Sequence, residues 1–181
     1  MNDVSPPIVC IIGRKNAGKT GLTVALGAEL NRRGFRVMTV KHAHGFQLDQ
    51  PGRDSWRHRH EGGAIRTVLA SPSDFAVVGG WPQEEMPLSE LVGRFLSDAD
   101  IVLAEGFKSS NEAKVEVFRD EPNAKPLFQL EEEHLPETLA LVTDRPGMEA
   151  SIPVFDLNNL DHIGNLVDLI QGRFLGGDKG S

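Results

Sequence analysis

The chain has 181 residues, 39% hydrophobic and 25% charged, which suits one soluble domain with a sizeable core. The net charge of −7 is uneven: residues 1–66 hold 11 Lys/Arg against 5 Asp/Glu, and residues 67–181 hold 8 against 21. This pattern points to a local anionic ligand rather than the broad basic face of a nucleic-acid binder. The aliphatic run at 8–12 is too short for a signal segment or a membrane span, so a cytoplasmic protein without a membrane partner is expected.

Residues 1–7 read as a flexible lead, followed at 8–12 by a continuous apolar run typical of a central parallel strand. The single cysteine, Cys10, cannot form an internal disulfide and reads as a small buried apolar residue. After a glycine-rich turn, residues 20–33 form a helix with Leu22, Ala25, Leu26 and Leu30 on one face and Gly34 at its end. A second strand covers 36–41, and residues 42–53 form a polar loop. A short helix capped by Asp54 or Ser55 then runs to about Glu61. Residues 65–70 and 75–78, joined by Ser71-Pro72-Ser73, predict a hairpin. Leu88, Leu91, Val92, Phe95 and Leu96 give a helical stripe, and 101–104 a buried strand ending at Glu105-Gly106. Residues 115–118 alternate with charge and predict a less buried strand. Strands at 139–143 and 153–155 and a helix through Ile163, Leu166, Val167, Ile170 and Phe174 complete the pattern, before a tail at 176–181. Residues 120–137, rich in Glu and Pro, are poorly specified. The alternation predicts a single α/β domain over 1–181: a P-loop NTPase with a mainly parallel sheet flanked by helices and a β-hairpin extension.

The motif that carries chemistry is Gly13-Arg14-Lys15-Asn16-Ala17-Gly18-Lys19-Thr20. Its glycines permit backbone conformations closed to other residues and let phosphate oxygens reach the N–H groups. The helix that follows aims its N-terminal dipole at the anion. Lys19 is placed to meet β- and γ-phosphates, and the Thr20 hydroxyl to coordinate Mg²⁺. Glu105, at the end of a neighbouring apolar strand, is the expected carboxylate partner of that metal. Asp144, after the strand at 139–143, is a candidate base reader. Its carboxylate suits guanine N1–H and the 2-amino group, although the usual Asn-Lys-x-Asp motif is absent. A plain turn residue is the competing reading.

Residues 41–57 add Lys41, His42, His44, Asp49, Arg53, Asp54 and Arg57. The histidine spacing matches no standard zinc pattern. The segment reads instead as a loop above the strand ends, where ligands bind in open α/β sheets, with Lys41, Arg53 and Arg57 available to phosphates. The competing reading is a solvated surface loop.

Together, Gly-x4-Gly-Lys-Thr, Lys41-His42-x-His44, Asp49-x-Pro-Gly-x-Asp54-Ser55, and Glu105-Gly106-Phe107-Lys108 followed by Lys114-Val115-Glu116-Val117 resemble the MobB family of molybdopterin-guanine dinucleotide biosynthesis. The resemblance runs from residue 8 to about 175. Ala17-Gly18 stands where members often carry Ser-Gly. The resemblance implies a homodimeric GTP-binding protein with weak GTPase activity, an accessory to the MobA guanylyltransferase or to cofactor delivery. Molybdopterin or its guanine dinucleotide is then a possible bound ligand, and molybdoenzyme apoproteins or other cofactor-biosynthesis proteins are possible partners. Phosphate binding falls to residues 13–21, Gly21 included, Mg²⁺ to Thr20 and Glu105, and closure of the site to residues 41–55. Slow hydrolysis would use Lys19 with a water placed by Asp49, Asp54 or Glu105. The alternative is a small-molecule kinase using ATP. Its usual arginine-rich lid finds only Arg94, Arg119, Arg145 and Arg173, widely scattered, in residues 67–181.

Overall fold

The computed structural model describes residues 5–43, 45, 48–81, 84–122, 124–130, 137–145, 147–159 and 161–176. His44 and residues 131–136 therefore lie outside it, as do the ends of both expected tails. The described chain divides into two compact units, residues 1–42 with 88–181, and residues 43–87.

The first unit is built on a six-stranded sheet: β1 (Ile8–Gly13), β2 (Val37–Lys41), β5 (Ile101–Glu105), β6 (Ala113–Phe118), β7 (Thr138–Thr143) and β8 (Val154–Asp156). Their spatial order is β2-β5-β1-β6-β7-β8, and every pairing is parallel. The apolar run of β1 lies in the middle because a central parallel strand is covered on both faces. The two-residue period of the strand splits it between two cores. Val9 and Ile11 join Leu22, Leu26, Leu30, Leu166 and Ile170 of helices α1 (Lys19–Arg32) and α4 (Asp161–Phe174). Cys10 and Ile12 face Leu88 and Val92 of α3 (Leu88–Phe95). Cys10 is buried, as expected, and burial pushes its thiol above the usual range.

Two expectations need correction here. The lead does not end at residue 7, because the Pro7 carbonyl already accepts from the Val102 N–H at 2.9 Å and Pro6 is buried. The second concerns β6, which is a central strand buried along its whole length. Its charges are paid for locally. Lys114 Nζ donates to the carbonyls of Ser110 (2.6 Å) and Glu112 (2.7 Å), and Glu116 accepts from the N–H groups of Leu127 (2.6 Å) and Phe128 (3.1 Å). Buried charges persist where such bonds replace water. The Glu116 bonds also pin the 3-10 turn Leu127–Gln129, which lies within the poorly specified 120–137 stretch.

Helices α1 and α4 are joined by Arg33, whose Nη1 reaches Asp168 at 2.5 Å and whose Nε reaches Glu29 at 2.8 Å. Hydrogen bonds from Arg32 and Arg33, opposed by burial, lower Glu29 from 4.5 to about 2. A carboxylate lowered on folding stabilises the fold fully above its unfolded value, and that contribution is lost as pH falls through the folded one. The urea midpoint should therefore drop between pH 5 and pH 2.5 by more in the wild type than in Glu29→Gln. An equal drop would mean that these ion pairs contribute nothing, as many exposed pairs do.

The second unit holds the short helix α2 (Asp54–His60) and the antiparallel hairpin β3 (Arg66–Ala70) and β4 (Phe75–Gly79). Arg53, rather than Asp54 or Ser55, occupies the position before α2, with no side-chain cap. The hairpin pairs Ala70 with Phe75 across the turn predicted at Ser71-Pro72-Ser73. Among the described residues no helix is long and apolar enough to cross a membrane.

Candidate functional site

Parallel pairing fixes the site before any side chain is considered. Glu105 lies in register with Ile11 of β1 and Lys41 of β2, so the carboxyl ends of three strands meet beside residues 13–20. The turn out of β1 needs unusual backbone. Gly13 has φ 142°, Asn16 φ 62° and Gly18 φ 109°. At Gly13 the cause is visible, because a Cβ there would collide with the Val117 carbonyl oxygen of the paired strand β6. Helix α1 begins at Lys19, so its first N–H groups face the loop, as phosphate binding requires.

Lys19 Nζ donates to the carbonyls of Gly13 (3.1 Å) and Arg14 (2.7 Å), which holds the ammonium across the loop. The Thr20 hydroxyl lies 3.0 and 2.9 Å from the two Glu105 oxygens. Lys41 Nζ donates to Glu105 Oε1 at 2.8 Å and lies 3.4 Å from Thr20 Oγ1. Burial alone would raise the Glu105 pKa, but hydrogen bonds from Lys41 and Thr20 and the charges of Lys41 and Lys19 bring it below the ordinary carboxylate range. Glu105 is thus an ionised oxygen donor beside a hydroxyl. This pair fits Mg²⁺, which takes one or two protein oxygens and completes its shell with water and phosphate.

On the other side of the loop, Asp144 follows β7. Its Oδ2 accepts from Arg119 Nη1 at 2.9 Å and its Oδ1 from the Asp120 N–H at 2.8 Å. Arg119 Nε also donates to the Ala17 carbonyl at 3.2 Å, which ties this corner to the loop. Arg119 is a residue that sequence reasoning missed. It counts there as one of four scattered arginines, and its proximity to Ala17 depends on the β1–β6 pairing.

In the second unit, Asp49 accepts from Ser55 Oγ at 2.6 Å and from Arg59 Nη1 at 3.4 Å. The motif residues Asp49 and Ser55 are therefore bonded partners, and Asp54 opens α2. Arg59 carries no motif signal that would assign it to this group.

The family model described as molybdopterin guanine dinucleotide synthesis protein B (MobB) matches residues 8–144. The chain belongs to the MobB family. Membership places it in molybdopterin guanine dinucleotide synthesis, as the motif resemblance implied. It is 31% identical over 164 residues to the molybdopterin-guanine dinucleotide biosynthesis adapter protein of Escherichia coli (strain K12), covering 89% of this chain and 91% of that one. The protein of the same name from Haemophilus influenzae is 33% identical, with 90% and 88% covered. A crystal structure of molybdopterin-guanine biosynthesis protein B superposes with a TM-score of 0.69 at 27% identity over 92% of this chain and 99% of that one. The MobB architecture, a P-loop α/β fold with a mainly parallel sheet, is thus shared.

Proposed function

We propose that the protein is a GTP-binding adapter with slow GTPase activity that assists a MobA-type guanylyltransferase or delivery of the finished cofactor. The observation that carries this reading is the Thr20–Glu105 pair at the mouth of a glycine-turned loop, in a chain of the MobB family. In it, backbone N–H groups of residues 13–21 hold the phosphates, and Lys19 leaves its loop carbonyls to neutralise phosphate charge. Mg²⁺ would supply further neutralisation of phosphate charge. Thr20 and Glu105 would hold it, and Lys41 steadies Glu105. Slow hydrolysis uses a water placed by Glu105. Such slow turnover suits an adapter.

A cavity of about 350 Å³ beside Thr20 and Glu105, walled by Val24, Val37 and Val40, supports a second ligand such as molybdopterin or its guanine dinucleotide. Self-association has support in the second unit. Val68, Leu69 and Phe75 of the hairpin are exposed, and an isolated two-stranded sheet gains stability when covered. A second copy is the proposed cover, and the proposed location is cytoplasmic.

Two measurements test this reading. Glu105→Gln should weaken Mg²⁺ about tenfold, so that GTP affinity with Mg²⁺ approaches affinity in EDTA; an undiminished Mg²⁺ effect would remove Glu105 from the metal site. Phosphate release from GTP should be slow alone and change when a purified guanylyltransferase is added. Preference for ATP with transfer to a metabolite would favour the kinase instead.

A further inference from the structure

The strands on the far side of the loop from Glu105 end together. Arg119 follows β6, Asp144 follows β7 and Leu157 follows β8, whose backbone is tied back by Leu157 N–H to the Thr143 carbonyl at 2.9 Å. A Cβ placed on Gly18 would lie 3.7 Å from both Arg119 Nη2 and Leu157 Cδ2, so this corner lines the cradle itself. Both oxygens of Asp144 are already bonded. The Asp120 N–H, and then the Arg119 bond and charge, hold its carboxyl below the usual range against the effect of burial. Arg119 is fixed through Nε and Nη1, while Nη2 stands beside Gly18 and the side chain stays 44% exposed. A guanidinium carries five N–H donors in a rigid fork, so two anchors leave others to offer.

We infer that Arg119 reads the purine base through O6 and N7, and that Asp144 is its positioning residue rather than the reader. The inference rests on the nucleotide site proposed above. A donor fork matches guanine, which presents two adjacent acceptors at O6 and N7. It mismatches adenine, whose exocyclic amine is itself a donor. A carboxylate would read the opposite side of guanine, N1–H and the 2-amino group.

Two analogues separate these readings, since ITP lacks only the 2-amino group and 7-deaza-GTP lacks only N7. Calorimetric titration of the full chain with Mg²⁺ should show 7-deaza-GTP binding about tenfold more weakly than GTP, and ITP within about twofold of it. Arg119→Ala should remove the difference between GTP and 7-deaza-GTP, and Asp144→Asn should shrink it. If 7-deaza-GTP equals GTP, if ITP is the weaker analogue, or if Asp144→Asn prefers XTP, the Arg119 assignment is overturned while the cradle stands. If GTP itself does not bind, the nucleotide site fails and this inference with it.

Discussion

Lys19→Ala should lower GTP affinity about 100-fold or more while leaving the fold intact. The side chain is partly exposed and, among the described residues, bonded to the carbonyls of Gly13 and Arg14. Removing it takes away two backbone contacts that solvent can replace, so circular dichroism and the unfolding midpoint should change little. The ligand loses more. A charge-assisted bond to phosphate is worth roughly twice a neutral one, and Lys19 is the cation that starts α1 at the loop. Lys41 does not substitute, because Glu105 already engages it at 2.8 Å. Calorimetry with GTP and Mg²⁺ measures the effect, and unchanged affinity in a folded variant would sink the cradle assignment.

Gly13→Ala should damage the fold itself, by about 3 kcal/mol or more. Two costs coincide there. The φ of 142° is a conformation that L side chains rarely adopt, and the added methyl would meet the Val117 carbonyl. That carbonyl belongs to β6, which is paired with β1 at Gly13. Relief requires moving either the loop or the central strand pair, and the apolar core on both faces of β1 resists the second. Urea unfolding should show a lower midpoint, and nucleotide binding should fall with it. A variant as stable as the wild type would show that the loop relaxes at no cost.

The parts of this protein that were legible in its sequence are those governed by local rules. The loop at 13–20 announces itself by spacing, and the hairpin by a Ser-Pro-Ser turn between two apolar runs. Glu105 was readable because an apolar strand ended on it. β6 was misread for a physical reason: Lys114 and Glu116 look like an exposed face when only alternation is counted. The carbonyls of Ser110 and Glu112 and the N–H groups of Leu127 and Phe128 that satisfy them are set by tertiary packing. Asp144 was located by its strand end, but its partner Arg119 lies 25 residues earlier and meets it only because β6 and β7 are neighbours. Asp49 and Ser55 were singled out together as a motif, and their hydrogen bond gives that spacing a local structural reason.

The most direct measurement is a crystal structure with a non-hydrolysable GTP analogue and Mg²⁺. The account predicts phosphates on the N–H groups of residues 13–21, the metal at Thr20 and Glu105, and guanine O6 and N7 toward Arg119. A nucleotide bound elsewhere on the chain, or phosphates in the cradle with the metal away from Thr20 and Glu105, would contradict it.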